Sequence, residues 1–181
     1  MNINIRPAKT KDLDAIANIF TISVRTLGSA DYTNEQIEAI IACFYDHSYS
    51  LEIEISVGTV FVAEAESIVG FASFNEGGKA INDLFVHPDY VRQGIGTLLL
   101  STIERVALAR QVSRLWVMSS LMGRPFYKSR GYEYVRDSVL IDTSTKIRVP
   151  CVDLVKVLHR DRQIDSCHPT LGKDLSTLIV S

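Results

Sequence analysis

Residues 81–109, INDLFVHPDYVRQGIGTLLLSTIERVALA, constrain the fold more than any other stretch of the chain. The first six residues are mostly apolar and suit a strand. Residues 87–89 (His-Pro-Asp) end it, because proline fixes its own φ and disfavours helix at the residue before it. Gly94 and Gly96 follow, and beyond them apolar residues recur at helical spacing as far as Ala107. The stretch therefore predicts a strand, a glycine loop and a helix, in that order.

Such a loop is suited to an anion. Two glycines just before a helix leave its first backbone N–H groups accessible to a bulky ligand. The helix dipole adds a partial positive charge at this point, and Arg92 adds a full one. A Walker A loop would need Lys followed by Ser or Thr, and a Rossmann fingerprint would need a third glycine where Leu99 stands. The sequence therefore predicts a phosphate-binding site of neither type.

The loop instead resembles the acyl-CoA-binding motif of the GCN5-related N-acetyltransferases (the GNAT superfamily), Arg/Gln-x-x-Gly-x-Gly/Ala. Val91 occupies the first position and departs from the pattern. The loss of that side-chain contact is tolerable, because most phosphate contacts of the motif come from backbone N–H groups. The resemblance implies that the cofactor-binding residues are Leu84, Phe85, Val86, Val91, Arg92, Gln93, Gly94, Ile95, Gly96, Thr97, Ser120, Tyr127 and Lys128.

A second stretch, residues 119–134 (SSLMGRPFYKSRGYEY), is similar to a later motif of the same family. In that motif a short helix carries Phe-Tyr and ends at Gly followed by an aromatic residue. The resemblance implies that Tyr127 is a general acid that protonates the departing CoA thiolate, which a phenol hydroxyl near the sulfur can do. The alternative is that Tyr127 only packs against the cofactor.

The resemblance also implies the mechanism, a direct transfer in one ternary complex in which orientation supplies much of the rate. Two neighbouring strands, 81–86 and 114–119, separate to admit acetyl-CoA, and N–H groups near Phe85 and Val86 polarise its carbonyl. Some family members have a Glu as general base at the position of Met118. Without that Glu, the candidate base is the nearby carboxylate of Asp83. A water-mediated route is the alternative. Tyr32 and Thr33 lie where the family forms its acceptor pocket.

Hydrophobic periodicity and the resemblance together predict a mixed α/β fold with a single domain over residues 1–158. We expect a strand, then helices that include the ambiguous segment 46–56, then antiparallel strands that lead to the glycine loop. The fold implied is the three-layer GNAT fold, with a mostly antiparallel sheet of six to seven strands, helices on both sides and a V-shaped splay between the fourth and fifth strands. Trp116, Phe71 and Phe74 are expected in the core. Residues 159–181 are expected to be a tail or a small added element.

Composition narrows the function class. The net charge of −2 gives no basic field that would recruit nucleic acid or an anionic membrane. The apolar runs are too short to span a bilayer, and MNINIRPAKT lacks the features of a signal peptide. The three scattered cysteines, Cys43, Cys151 and Cys167, suit reduced thiols in a cytoplasm and lack metal-ligand spacing. We therefore expect a cytoplasmic protein without a metal.

Three functions are weighed. The first is an acetyl-CoA-dependent N-acetyltransferase that acts on an amine of a small molecule or a protein. The second is a non-catalytic acyl-CoA-binding sensor with the same fold, and the third is a nucleotide-binding or interaction protein, which the missing Walker and Rossmann residues disfavour. The first is preferred. Aminoglycoside, polyamine, amino acid and protein N-terminus all stay open as acceptors, and a homodimer is compatible with the family.

Overall fold

A computed structural model describes residues 2–46, 48–75 and 77–159. Glu76, which falls in an expected turn, and all of the expected tail except His159 lie outside the described residues. The elements in chain order are β1 (Asn4–Pro7), α1 (Leu13–Leu27), α2 (Asn34–Asp46), α3 (Ser48–Ser56), β2 (Val60–Glu64), β3 (Ile68–Phe74), β4 (Ala80–Val86), α4 (Ile95–Ala109), β5 (Arg114–Ser120), α5 (Arg124–Lys128), β6 (Glu133–Ile141) and β7 (Arg148–Val157).

The seven strands form one sheet in the order β1-β2-β3-β4-β5-β7-β6. Every neighbouring pair is antiparallel except β4 and β5, which run parallel. These two strands pair only at Ala80 with Trp116 and at Ile81 with Val117. Beyond Ile81 they are no longer paired, so the splay predicted between the fourth and fifth strands is present. The predicted fold class, a mixed and mostly antiparallel sheet with helices on both faces, is confirmed.

The helices bury the two faces of the sheet in two separate hydrophobic clusters. The cluster on the α4 side is built from α4, β5 and β7, and Leu99, Ile103 and Leu115 are fully buried in it. The cluster on the α1 side contains Ile16 of α1 and Phe71 of β3. Helix α3 covers part of this second face, which confirms that residues 48–56 of the ambiguous segment are helical. None of the described helices is long and apolar enough to cross a membrane.

Trp116 is not in the core, contrary to the sequence-based expectation. It is 40% exposed, whereas Phe71 and Phe74 are fully buried as expected. The buried residues of β5 are Leu115, Val117 and Ser119, and the alternation of a strand turns Trp116 to the opposite face. An aromatic residue in an apolar strand is thus assigned to the core only when the buried face of that strand is known.

An ion cluster around Arg6 holds the first strand to its neighbours. The guanidinium donates to Oδ2 of Asp12 at 2.7 Å and to both carboxylate oxygens of Glu64 at 2.8 Å. The same Asp12 carboxylate accepts the backbone N–H of Lys9 at 2.8 Å, just before α1. Hydrogen bonding from Arg6 lowers the pKa of Asp12, which is only 4% exposed. Arg6 therefore joins β1, the start of α1 and β2 through buried and half-buried contacts.

We expect Asp12→Asn to destabilise the fold by about 1–3 kcal/mol at pH 7, because it removes a charged acceptor from a buried cluster. A carboxyl whose folded pKa is lowered stabilises the fold above its unfolded pKa of about 3.9 and loses this contribution as the pH falls through the folded value. The difference in unfolding free energy between wild type and variant, measured with urea, should therefore shrink below about pH 4.

Asp14→Asn is the matched control, since Asp14 lies in the first turn of the same helix but is exposed. It should change the unfolding free energy by less than about 0.5 kcal/mol. Equal losses in the two variants would show that the Arg6 cluster does not stabilise the fold.

Candidate functional site

A cavity of about 580 Å³ opens at the splay between β4 and β5. It extends from α5, beyond the C-terminal end of β5, to the inner surface of α1, α2 and α3. Apolar side chains form most of its wall: Phe20, Ile40, Phe44, Leu51, Leu84, Phe85, Val117, Met118, Met122, Leu140 and Val149. The polar residues that line it include Tyr32, Glu54, Asn82, Asp83, Ser119, Ser120 and Tyr127.

The glycine loop lies at the start of α4. Gly94 has φ +86°, a left-handed conformation that favours glycine, and it directly precedes the helix. A Cβ at Gly96 would lie 3.4 Å from the ring of Phe126, which is an ordinary van der Waals contact, so α4 packs directly on α5 at this point. The Thr97 N–H donates to the Gly94 carbonyl at 3.0 Å. Because the first N–H groups of a helix have no partner within it, those of Ile95 and Gly96 are available to an anion. The loop thus fits a pyrophosphate.

A second cation stands beside this loop. Arg130, which follows α5, donates to the Thr97 hydroxyl from Nη2 at 2.7 Å and from Nε at 3.3 Å. Its guanidinium also lies over the ring of Phe126. Together with Arg92 in the loop, Arg130 adds positive charge at the α4 N-terminus, where a phosphate is stabilised. The structure thus brings the predicted residues Arg92, Gly94 and Thr97 together.

The other predicted cofactor residues are placed as follows. Ile95 is fully buried in the core, so only its backbone is available. Gln93 Nε2 donates to the Asp89 carbonyl at 3.4 Å, and Ser120 Oγ accepts the N–H of Gly123 at 3.2 Å. Lys128 is exposed on α5.

The backbone of β4 presents N–H groups to the splay. The His87 N–H donates to the Val69 carbonyl of β3 at 2.9 Å. His87 and Val69 are therefore a hydrogen-bonded pair of the antiparallel ladder, in which the N–H groups point towards the partner strand. Because such pairs alternate along an antiparallel ladder, the N–H of Phe85 also faces β3, and those of Leu84 and Val86 face the splay. Phe85 instead contributes its ring to the cavity wall. Leu84 and Val86 are therefore the backbone donors nearest the opening.

Tyr127 lies on α5 with its side chain in the cavity wall and only 6% exposed. Its ring contacts those of Phe126 and Tyr132, each with a centroid distance of 5.3 Å. Burial and the nearby negative charge of Asp83 raise the pKa of its hydroxyl. The hydroxyl therefore keeps its proton at neutral pH and can donate it within the cavity.

A pair of carboxylates lies across the splay from α5. Asp83 and Glu54 both line the cavity, and Ser73 Oγ donates to Asp83 Oδ2 at 2.7 Å. A bulge in β4 leaves Asn82 without a partner residue on β3, and Asn82 Nδ2 donates to Glu54 Oε1 at 2.7 Å. Burial, and then the charge of Asp83, raise the pKa of Glu54. The pair can therefore hold and release a proton.

The two residues predicted for the acceptor pocket have different surroundings. Tyr32 lines the cavity, but its hydroxyl accepts the Leu121 N–H at 2.7 Å and donates to the Pro150 carbonyl at 2.9 Å. Burial raises its pKa to about 12. Thr33 is not among the described residues that line the cavity, and its hydroxyl accepts the N–H of Gln36 at 3.3 Å as the cap of α2.

Glu54 is the main site residue that the sequence analysis missed. The signal was present, because a helical reading of LEIEI places Leu51, Glu54 and Ile55 on one face. A carboxylate in the buried stripe of a helix indicates a functional site.

Across the described residues, no group of three or more His, Cys, Asp or Glu could hold a metal ion.

Comparison with known proteins identifies the family. Residues 29–143 match the acetyltransferase (GNAT) domain family. The chain is 30% identical over 135 residues to YafP, an uncharacterized N-acetyltransferase of Escherichia coli (strain K12), covering 75% of this chain and 84% of that protein.

Solved structures show the same fold. A GCN5-related N-acetyltransferase from Rhodopseudomonas palustris superposes with a TM-score of 0.80 at 30% identity, over 87% of this chain and 97% of that one. The PaiA N-acetyltransferase of Thermoplasma acidophilum, solved in complex with coenzyme A, gives a TM-score of 0.69 at 21% identity, over 87% and 99% of the two chains. The chain therefore belongs to the GCN5-related N-acetyltransferase superfamily.

Proposed function

We propose that the protein transfers the acetyl group of acetyl-CoA directly to a primary amine, with both substrates bound in one ternary complex. The observation that carries this proposal is the composition of a single cavity, which is lined by the buried Tyr127 and by the carboxylates of Glu54 and Asp83. Such an arrangement offers a proton donor and a proton acceptor in one site. That PaiA was solved with coenzyme A supports the choice of acyl donor.

The chain's own residues account for cofactor binding. The backbone of the glycine loop, with Arg92 and Arg130, would hold the phosphates at the start of α4. The N–H groups of Leu84 and Val86 would bind the pantetheine arm and polarise the acetyl carbonyl, which takes up negative charge as the amine attacks. Acetyl-CoA, when bound, supplies the acetyl group as a thioester.

Two groups of the chain move the protons. An ammonium that enters the cavity gives one proton to Glu54, and the neutral amine then forms the new N–C bond as the C–S bond breaks. The nitrogen loses a second proton to the carboxylate pair, and Tyr127 donates its hydroxyl proton to the leaving sulfur. One of the two nitrogen protons restores Tyr127 and the other leaves to solvent, so both atoms and charge balance.

Tyr127→Phe should lower kcat by about 10- to 100-fold, because the leaving thiolate loses its proton donor. The dissociation constant of acetyl-CoA, measured by calorimetry, should change by less than about threefold, since the ring is kept. Thiol release with an amine acceptor gives kcat.

Tyr132→Phe is the matched control for this change. The ring of Tyr132 contacts that of Tyr127 but does not line the cavity, so kcat should stay within about twofold of wild type. If kcat is unchanged in Tyr127→Phe, then the tyrosine is not the proton donor and only packs against the cofactor. Acetyl-CoA binding by wild type without thiol release on any amine would favour the sensor function instead.

The pH dependence of kcat/KM should identify the base. Glu54→Gln should lower kcat/KM by about 100-fold at pH 7 and remove the acidic limb of the profile. Asp83→Asn should move that limb to lower pH, because it removes the like charge that raises the pKa of Glu54. Glu52→Gln, an exposed change on the same helix, is the control. If Asp83→Asn abolishes the limb and Glu54→Gln does not, then Asp83 is the base.

Gly94→Ala should weaken acetyl-CoA binding by about 10-fold or more, because a Cβ at φ +86° strains the loop that presents its N–H groups. Gly58→Ala is the matched control, since Gly58 has φ +72° but lies away from the cavity. Both variants should lose similar stability, yet only Gly94→Ala should change the dissociation constant measured by calorimetry. Equal binding by the two variants would count against the glycine loop as the phosphate site.

A further inference from the structure

We infer that the acceptor is a small monoamine whose primary ammonium is carried on an apolar body, aliphatic or aromatic, with no anionic group. This inference rests on the proposed function and specifies its second substrate. The charges of the cavity and the apolar chemistry of its wall both support it.

The cavity carries charge of one sign. Among the described residues that line it, the carboxylic acids are Glu54 and Asp83, and none of the described lining residues is Lys, Arg or His. An ammonium is attracted to this pair. An acceptor that also bore a carboxylate, such as a free amino acid, would bring a second negative charge to a half-buried site with no cation to pair with it.

The wall beyond the carboxylates is apolar and aromatic. The rings of Phe20 and Phe44 are stacked with centroids 3.9 Å apart, and Phe20 meets Phe85 edge-on at 4.7 Å. Leu140 of β6 and Val149 of β7 line the cavity from the opposite hairpin. An aliphatic or aromatic body gains free energy by leaving water against such a wall.

The same wall selects against polar acceptors. The hydroxyls of an aminoglycoside, the further ammonium groups of a polyamine and the amides of a peptide would all need hydrogen-bond partners there. The hydroxyl of Tyr32 does not offer such a partner, because it already accepts the Leu121 N–H and donates to the Pro150 carbonyl. One charged end and one apolar body therefore match the site best.

The first test compares acceptors at saturating acetyl-CoA by thiol release. Phenylalanine is 2-phenylethylamine with an added carboxylate. Ethanolamine carries a hydroxyl where 2-phenylethylamine carries its phenyl ring. We expect kcat/KM for 2-phenylethylamine to exceed that for phenylalanine, ethanolamine, spermidine and a dipeptide amide by about 10- to 100-fold each. Preference for any of these four would overturn the inference and leave the proposed function intact.

Thiol release with none of the amines would instead contradict the proposed function. In that case binding of 2-phenylethylamine to the protein loaded with coenzyme A, measured by calorimetry against phenylalanine, decides the inference. Tighter binding of 2-phenylethylamine supports the recognition argued above, and equal or weaker binding overturns it.

A charge placed in the wall provides the second test. Leu140→Arg puts a cation at the apolar end of the cavity, and should lower the ratio of kcat/KM for 2-phenylethylamine over phenylalanine by about 10-fold or more. Val139→Arg is the matched control, because Val139 is the preceding residue on the same strand, is 38% exposed and does not line the cavity. In Val139→Arg the ratio of kcat/KM for 2-phenylethylamine over phenylalanine should be the same as in the wild type. Equal changes in the two variants would overturn the assignment of this wall to the acceptor.

Discussion

The whole site depends on how little β4 and β5 are paired. These strands lie side by side at the centre of the sheet, yet they share only two residue pairs before they separate. Buried backbone N–H and C=O groups need partners, so a gap in the middle of a sheet carries a cost that a ligand can offset. The antiparallel ladders on either side, β3 with β4 and β5 with β7, keep the two strands in place. The sheet can therefore hold an opening without losing its order.

Polar groups near the opening are mostly held by the chain itself. Ser73 and Asn82 donate to the two carboxylates, and Ser23 of α1 donates to the Val86 carbonyl at 3.0 Å. These contacts fix the orientation of the acids and of the end of β4 before any substrate arrives. Preorganised groups of this kind lower a barrier because they need not reorient during the reaction. The splay and the carboxylates thus form one preorganised unit.

Much of this arrangement could be predicted from sequence, because local chemistry determines it. The glycine loop, its helix and the short helix with Tyr127 follow from glycine, proline and apolar spacing, which act within a few residues. Glu54 and the exposure of Trp116 depend on which strand and helix faces meet, and this is decided by contacts distant in sequence. Thr33 is instructive too: an acceptor residue by resemblance, it caps α2 through a Thr-x-x-Gln pattern that was readable locally.

The two hydrophobic clusters have a consequence for how specificity can change. The glycine loop and α4 rest on the cluster under α4, whereas the apolar wall of the cavity rests on the cluster under α1 and α2. Among the partly buried residues, Leu121 packs against both. Substitutions in one cluster leave most of the other's packing untouched, so their effects on stability should be nearly additive. Under the proposed function, substitutions in the cluster under α1 and α2 should change the choice of acceptor while binding of the acyl donor stays the same.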